Sequence, residues 1–511
     1  MQNKKTFYIT TPIYYPSGKL HIGHAYTTTL AWTIRNYKTL RGYDAKLLTG
    51  ADEHGQKIQQ KAEAANISEQ KYVDGMTELF KNLWNELGID YDYYSRTTRP
   101  SHEASVQKIF SELLENDVIY KGAYKGLYSV QDEEFFTVTQ AEEKDGEYFH
   151  PTSGHKLEEV EEESYFLRMS KFADWLDEEF NKVNFVRPDK IIKELRENFL
   201  KKGLEDLSIT RTSFTWGVPV LEDPKHVVYV WLDALTNYIN TLGYKTEDDS
   251  DYQKYWVNGD EKVHLVGKEI TRFHCIYWPI ILKALNLPQP TSILSHGWII
   301  TPEGKMSKSK GNVIDPLELI EEFGAETLKF FFASQISMGQ DGVFDKEMLK
   351  NTYNSALANN YGNLLSRTIA MTLQSFDKPI QFTETENEFD KEIIEEILAS
   401  TEKFTKHFDN FAINKAFEVA TKLSKSLNGY IDKTQPWTLK EDKERLAQVL
   451  NILLNGIYAV STYLSVVIPN KTSLAMEQLQ VESLSLEEIS NFKKFDEIMV
   501  KKGEVLFQRI K

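Results

Sequence analysis

Thr6-Phe7-Tyr8-Ile9-Thr10-Thr11-Pro12-Ile13-Tyr14-Tyr15-Pro16-Ser17-Gly18-Lys19-Leu20-His21-Ile22-Gly23-His24 is the stretch that decides the fold. Thr6 to Thr11 is β-branched and aromatic, the composition of a strand. Pro12, Pro16 and Gly18 then break the chain into a turn. From about Gly23 the sequence runs as a helix to Arg41, with Gly42 placed as a stop. His21 and His24 therefore stand where a strand gives way to a helix N-terminus. That end offers backbone N–H groups and the positive pole of the helix dipole, both suited to phosphate. Gly23 removes a side chain where a nucleotide must lie close. On its own the string also describes a turn with two surface histidines.

A second string answers it far downstream. Ser295-His296-Gly297-Trp298-Ile299-Ile300 reads as a strand entry and Thr301-Pro302-Glu303-Gly304 as a turn. Lys305, Lys308 and Lys310 then cluster on a short loop that Gly311 closes. Ammonium groups on such a loop can meet the charge that builds on a pentacoordinate phosphate. This is not the Gly-rich phosphate loop, because Gly297 and Gly304 are too far apart and Met306 follows Lys305. The ordered pair, histidine turn and lysine loop, suits attack on the α-phosphate of ATP with pyrophosphate leaving.

The bulk properties agree with a multidomain enzyme. The chain has 511 residues, enough for two to four domains by length. No apolar run approaches the length of a membrane span, and Lys4-Lys5 leads directly into a strand without a signal-peptide pattern. One cysteine, Cys275, excludes a disulfide framework and fits a reducing cytoplasm. The net charge of −16 argues against a nucleic-acid partner only if no basic strip exists, and the lysine loop is one. The acidic run Glu158-Glu159 with Glu161-Glu162-Glu163 reads as a solvated face.

Along the chain, residues 1–115 alternate strands and amphipathic helices, a βαβ pattern with a second strand at Ala45–Thr49. Residues 116–212 change to short strands and turns and read as an insertion. Strand and helix patterns resume over 213–300, at Val227-Val228-Tyr229-Val230 and His264-Leu265-Val266. Residues 301–345 hold the lysine loop. After Phe344 the chain is helical, with segments such as 354–376, 388–408 and 412–427, so 346–511 reads as a helix bundle. The fold class is α/β, a Rossmann-like parallel sheet with an inserted domain, followed by an all-α bundle.

With these motifs on the page, the chain resembles class I aminoacyl-tRNA synthetases, and among them the methionine-specific family. The resemblance is carried by Thr11-Pro12-Ile13-Tyr14-Tyr15-Pro16, Gly50-Ala51-Asp52-Glu53-His54-Gly55 and Arg211-Thr212-Ser213-Phe214-Thr215-Trp216-Gly217. Tyr229-Val230-Trp231-Leu232-Asp233-Ala234 and Gly267-Lys268-Glu269-Ile270-Thr271-Arg272-Phe273-His274 add to it. So do Asn363-Leu364-Leu365-Ser366-Arg367 and Pro436-Trp437. It implies a ligase that joins L-methionine to ATP, releases pyrophosphate, and passes methionine to the 3′-terminal adenosine of initiator and elongator methionine tRNA.

Residue roles follow from the resemblance. His21, His24, Lys305 and Lys308 serve catalysis at the phosphates. Gly23, Gly267, Glu269, His296, Gly297, Trp298 and Lys308 bind ATP, with Glu269 near the ribose. Asp52 meets the substrate ammonium. Ile13, Tyr15, Trp231, Ala234, Leu235, Tyr238, Ile270 and His274 line the side-chain pocket, where aromatic rings suit a thioether and Tyr15 and His274 can offer it polar contact. Asn363, Arg367 and Trp437 read the anticodon by hydrogen bonding and stacking. Mg2+ accompanies the pyrophosphate.

Relatives often carry zinc in the insertion on Cys-x-x-Cys pairs. Here Ser129 and Asp132 stand at one pair and the other is replaced around His150-Pro151-Thr152-Ser153-Gly154-His155, so a metal-free knuckle held by hydrophobic packing is expected. The 116–212 interval is too short for the editing insertion of the branched-chain enzymes, and one cysteine cannot supply the zinc site of the cysteine enzyme. A small nucleotidyltransferase would not need the bundle. A non-catalytic paralogue should have lost His21, His24 or Lys308. The last residues leave no room for a further dimerising domain, so a monomer is the default.

Overall fold

The computed structural model describes residues 4–510 apart from 133, 137, 139, 140 and 307–310. The chain gathers into two compact units. One comprises Met1–Leu20, Asp44–Asn85 and Asp90–His296; the other comprises His21–Tyr43, Glu86–Ile89 and Gly297–Lys511.

The first unit is built on a parallel sheet of six strands, β1 (Thr6–Tyr14), β2 (Asp44–Ala51), β3 (Tyr93–Arg96), β4 (Val186–Arg187), β5 (Glu261–Gly267) and β6 (Ser292–His296). They lie in the order β3-β2-β1-β5-β6-β4. β1 is buried along almost its whole length, as a central strand covered on both faces must be. It runs through Pro12, which the sequence reading placed in a turn. The proline is tolerated because the pairing of β1 with β2 slips between Thr10 and Ile13, so no ladder N–H is needed there. The edge strand β4 comes from the segment read as the insertion.

The same segment also holds a four-stranded antiparallel sheet in which Ile119–Ser129 pairs with Glu158–Leu167. This pairing gives the acidic run partners. Lys121 Nζ lies 2.7 Å from Glu163 and Lys125 Nζ 3.4 Å from Glu161. Tyr229–Val230, read as strand, instead starts a helix, Val230–Asn240; the strand stops at Val228.

The second unit holds the helix Ile22–Leu40, with Gly42 at φ 82° beyond its end. Tyr37 of this helix stacks on Phe408 at 4.3 Å and donates its hydroxyl to Asp409 at 2.9 Å. The bundle continues through Asn363–Ser375, Glu388–Asp409, Ile413–Thr434, Lys443–Leu464 and Pro469–Leu479. Lys443–Leu464 is buried on all sides from Val449 to Leu464, as expected of a central helix. Among the described residues no helix is long and apolar enough to cross a membrane.

Candidate active site and anticodon end

The two histidines build an unusual helix cap. Nδ1 of His21 accepts the N–H of Gly23 at 3.0 Å, and Nδ1 of His24 accepts the N–H of His21 at 3.0 Å. The rings lie 4.0 Å apart. A ring nitrogen that accepts carries no proton, so the cap places each imidazole's N–H on Nε2. The result is two N–H donors beside a helix N-terminus, an arrangement for phosphate oxygens. A Cβ at Gly23 would come within 2.9 Å of Cε1 of His21. Glycine is thus needed for the folded-back His21 ring itself, a reason the sequence reading missed.

The lysine loop belongs to the same unit. Ile299–Thr301 and Gly304–Lys305 form a hairpin whose turn needs Gly304 at φ 107°. Nζ of Lys305 sits 3.8 Å from the Trp298 ring, and the backbone N–H of Trp298 donates to Asp341 Oδ1 at 2.8 Å. A Cβ on Gly297 would strike the carbonyl of Gln340 at 2.2 Å, so this glycine serves backbone packing. Beyond the loop, the carbonyl of Ile314 accepts the N–H of Ile22 at 3.2 Å. The histidine turn and the segment following the lysines are therefore bonded directly. Lys308 and Lys310 lie outside the described residues.

The pocket residues assemble in the first unit. Ile13, Ala234, Leu235 and Tyr238 share one core cluster, with Trp231 and Ile270 packed against it. Trp231 stacks on Phe273 at 3.6 Å and meets His274 edge-on at 6.3 Å. Phe273, inside the Gly267–His274 stretch, backs the Trp231 ring although the sequence reading gives it no role. Tyr15 has Lys57 Nζ 5.9 Å from its ring.

His274 differs from the expectation of polar contact with sulfur. Its Nδ1 lies 3.0 Å from the carbonyl of Ile270, which can only accept, so Nδ1 donates. Burial pulls its pKa down to about 4, leaving Nε2 as an acceptor for the Tyr238 hydroxyl at 2.7 Å. Both ring nitrogens are thus engaged. Below it, His264 Nε2 accepts from Trp278 Nε1 at 3.0 Å, so its Nδ1 donates to Thr10 at 2.7 Å. Burial, with His274 adding to it, holds His264 well below the usual histidine range. The wall is buried, aromatic and neutral, which favours an uncharged side chain.

Asp52 lies at the end of β2, buried, with its N–H donating to Tyr14 O at 3.0 Å. Burial raises the Tyr238 phenol pKa, and the charges of Tyr14 and Asp52 add to it. Glu53 is clamped by Arg96 Nε at 2.8 Å, Thr77 at 2.8 Å and Thr98 at 2.5 Å. His54 Nδ1 lies 2.7 Å from Asp233, whose other oxygen is 2.6 Å from His102 Nε2. Burial opposes charge on His54, but Asp233 and Glu103 outweigh it and raise its pKa to about 10. Burial likewise opposes charge on Asp233, and the two histidines outweigh it, holding it at about 2.

At the ends of β5 and β6, Gly267 pairs with His296 in register. A Cβ on Gly267 would lie 2.5 Å from Oε1 of Glu269, so the carboxylate folds over that glycine. In the bundle, Asn363 and Arg367 are both half-buried on Asn363–Ser375, and Arg367 reaches to 3.7 Å from Asp432. Trp437 follows Gln435, which is left-handed at φ 44°, and is 47% exposed. It is therefore a surface tryptophan and no part of the bundle core.

The insertion does not fit zinc. Asp132 accepts from Ser129 Oγ at 2.5 Å, Ser153 Oγ at 2.8 Å and His155 Nδ1 at 2.9 Å. His150 Nδ1 accepts two backbone N–H groups, from Thr152 and Ser153. Both imidazoles are already committed, His155 to Asp132 and His150 to two backbone N–H groups and to Glu134 at 3.1 Å, and no thiolate is present, so the donor set is wrong for a structural zinc. Leu127, Phe136 and Leu157 form a small core there, so hydrogen bonds join hydrophobic packing, against the expectation of packing alone. Among the described residues, one triad has metal-ligand spacing, Glu163, Asp223 and His226, and Lys121 Nζ already lies 2.7 Å from both carboxylates.

Comparison with known proteins agrees with this geometry. A family model described as tRNA synthetases class I (M) matches residues 7–369, and one described as the anticodon binding domain of methionyl tRNA ligase matches 381–511. A methionine–tRNA ligase of Mycoplasmopsis pulmonis is 51% identical, covering 99% of this chain and 100% of that protein. One from Bacillus subtilis is 45% identical, covering 100% of this chain and 78% of the relative. The structure of Mycobacterium tuberculosis methionyl-tRNA synthetase bound by methionyl-adenylate matches at TM-score 0.93 and 31% identity, over 99% of this chain and 100% of that one. These matches span the histidine turn, the aromatic cluster around Trp231 and the helical bundle alike, and the chain belongs to the methionyl-tRNA synthetase family of class I aminoacyl-tRNA synthetases.

Proposed function

We propose that the chain activates L-methionine with ATP and transfers it to the 3′-terminal adenosine of methionine tRNA, initiator and elongator alike, as a cytoplasmic monomer. Residues 1–115 and 213–300 are the catalytic halves, 116–212 the connective insertion, 301–345 the lysine loop and stem contact, and 346–511 the anticodon-binding domain.

In the first step a methionine carboxylate oxygen attacks the α-phosphorus and pyrophosphate leaves. The Nε2–H groups of His21 and His24 donate to the phosphate oxygens. Lys305 and Lys308 neutralise charge that grows in the transition state. Glu269, Gly267 and His296 take the nucleoside, with Gly297 and Trp298 supporting the hairpin. Asp52 pairs with the substrate ammonium while Ile13, Tyr15, Trp231, Ala234, Leu235, Tyr238, Ile270 and His274 enclose the thioether. Mg2+ belongs to the leaving pyrophosphate, as part of the nucleotide substrate. In the second step the ribose hydroxyl attacks the activated carbonyl and AMP leaves. No side-chain nucleophile is needed; positioning and charge stabilisation suffice.

The observation that carries this reading is the pair of Nδ1-accepting histidines bonded through Ile22 to the segment after the lysines. The test is charging of methionine tRNA with labelled methionine. The reading requires an ester that forms with methionine and fails with leucine, isoleucine, valine and cysteine; charging with any of those in preference would refute it.

A further inference from the structure

His54, Asp233 and His102 form a buried hydrogen-bonded row. None of its three side chains is more than 4% exposed. Asp233 uses one oxygen on each histidine, and Asn240 Nδ2 lies 3.3 Å from the far nitrogen of His102. Glu103 Oε1 lies 3.5 Å from Nε2 of His54. Since a carboxylate only accepts, both facing ring nitrogens donate.

The chain positions of these groups are informative. His54 is two residues from Asp52, in the loop that ends β2. Asp233 lies between Trp231 and Ala234 on the helix that also carries Leu235 and Tyr238. Glu53, between Asp52 and His54, is clamped the other way, to Arg96, Thr77 and Thr98. Gly55, at φ 114°, donates its N–H to the Trp216 carbonyl at 3.0 Å. The Asp52 loop is therefore fixed on its own side by Glu53, and joined to the pocket helix by the His54–Asp233 bond.

We infer that His54 and Asp233 are positioning residues that set the distance between the Asp52 carboxylate and the thioether wall, and so make the site select a substrate bearing both an α-ammonium and a thioether. A charge-assisted bond of this kind is short and directional. A shift of about 1 Å at a binding group is enough to degrade its contribution severely. The inference rests on the reading of Asp52 and the 231–238 helix as the amino-acid pocket.

The test uses the full chain and two inhibitors that differ only by the amine, L-methioninol and 4-(methylthio)butan-1-ol, measured against methionine in pyrophosphate exchange. His54→Ala removes the bond; His54→Asn keeps a donor near the Nδ1 position. With His54→Ala, methioninol should weaken about tenfold, one directed contact's worth, while the amine-free alcohol stays within about twofold. The methionine KM should rise with it while kcat changes little. His54→Asn should restore most of the methioninol affinity. If both inhibitors weaken together, or His54→Asn fails to rescue, the row merely supports the fold and the inference is wrong. Asp52→Asn separates the two levels. If it leaves the preference for methioninol intact, the pocket reading itself fails. If it abolishes the preference while His54→Ala does not, only the inference fails. Should His54→Ala not fold, Asp233→Asn, which keeps shape and loses charge, must show the same amine-selective loss or the inference is overturned.

Discussion

The Tyr238 hydroxyl donates to Nε2 of His274 at 2.7 Å, and this bond determines what the pocket can offer a ligand. With Nδ1 committed to Ile270, His274 presents a ring surface to its surroundings. Under the proposed pocket, recognition of a thioether rests on shape and polarizability, with Trp231, held flat on Phe273, as the wall.

Tyr238→Phe should both loosen the pocket and cost stability. It leaves a buried imidazole nitrogen without its partner, a penalty of about 1–3 kcal/mol. Urea denaturation should show that loss, and the methionine KM should rise while the ATP KM holds. An unchanged denaturation midpoint would show that the bond carries no weight.

The His54–Asp233 pair predicts a pH signature. His54 has its pKa raised from 6.5 to about 10. Its contribution to stability is complete below about pH 6.5 and is lost as pH rises toward 10. Asp233, lowered from 3.8 to about 2, contributes above its ordinary value and loses that contribution as pH falls toward 2. Denaturation midpoints for the wild type should therefore decline between pH 6.5 and 10 more steeply than those of His54→Asn. Parallel curves would contradict a charged His54.

Lys308→Ala should leave methionine binding near normal and lower exchange turnover by about 10²–10³-fold, the scale for removing one transition-state donor. Equilibrium dialysis with methionine and exchange kinetics on one preparation make the comparison. Normal turnover with weakened methionine binding would place the lysine in the ground state instead.

Trp437→Ala should spare pyrophosphate exchange and sharply weaken charging of methionine tRNA, because base–aromatic stacking is worth about 1–3 kcal/mol per base. The residue is 47% exposed, so its loss should not disturb the bundle. Loss of both reactions together would mark it as structural, and loss of neither would mean that the anticodon is read elsewhere.

Local patterns in the sequence carried far. The helix after His21 ends within a residue of where Arg41 and Gly42 put it, since stop signals are local. Glu388–Phe408 was legible for the same reason and extends only to Asp409. Pro12 inside β1 was not, because a register slip against β2 is a property of the partner strand. Nor was the helix at Val230, where tertiary context overrides the β propensity of the valines and tyrosine. The candidate site residues can be named from their motifs, but not their protonation. That His21 and His24 donate through Nε2, and that His274 has no donor left for sulfur, depends on hydrogen-bond partners that periodicity does not specify. The His54–Asp233–His102 row joins groups 179 and 131 residues apart, beyond any local signal.

The measurement closest to the central claim is ATP–pyrophosphate exchange by the purified, chelator-treated chain with each amino acid in turn. The account predicts exchange with L-methionine, none above background with leucine, isoleucine, valine or cysteine, and no stimulation by added zinc. Exchange that is absent with methionine, that prefers another amino acid, or that appears only once zinc is restored would contradict it.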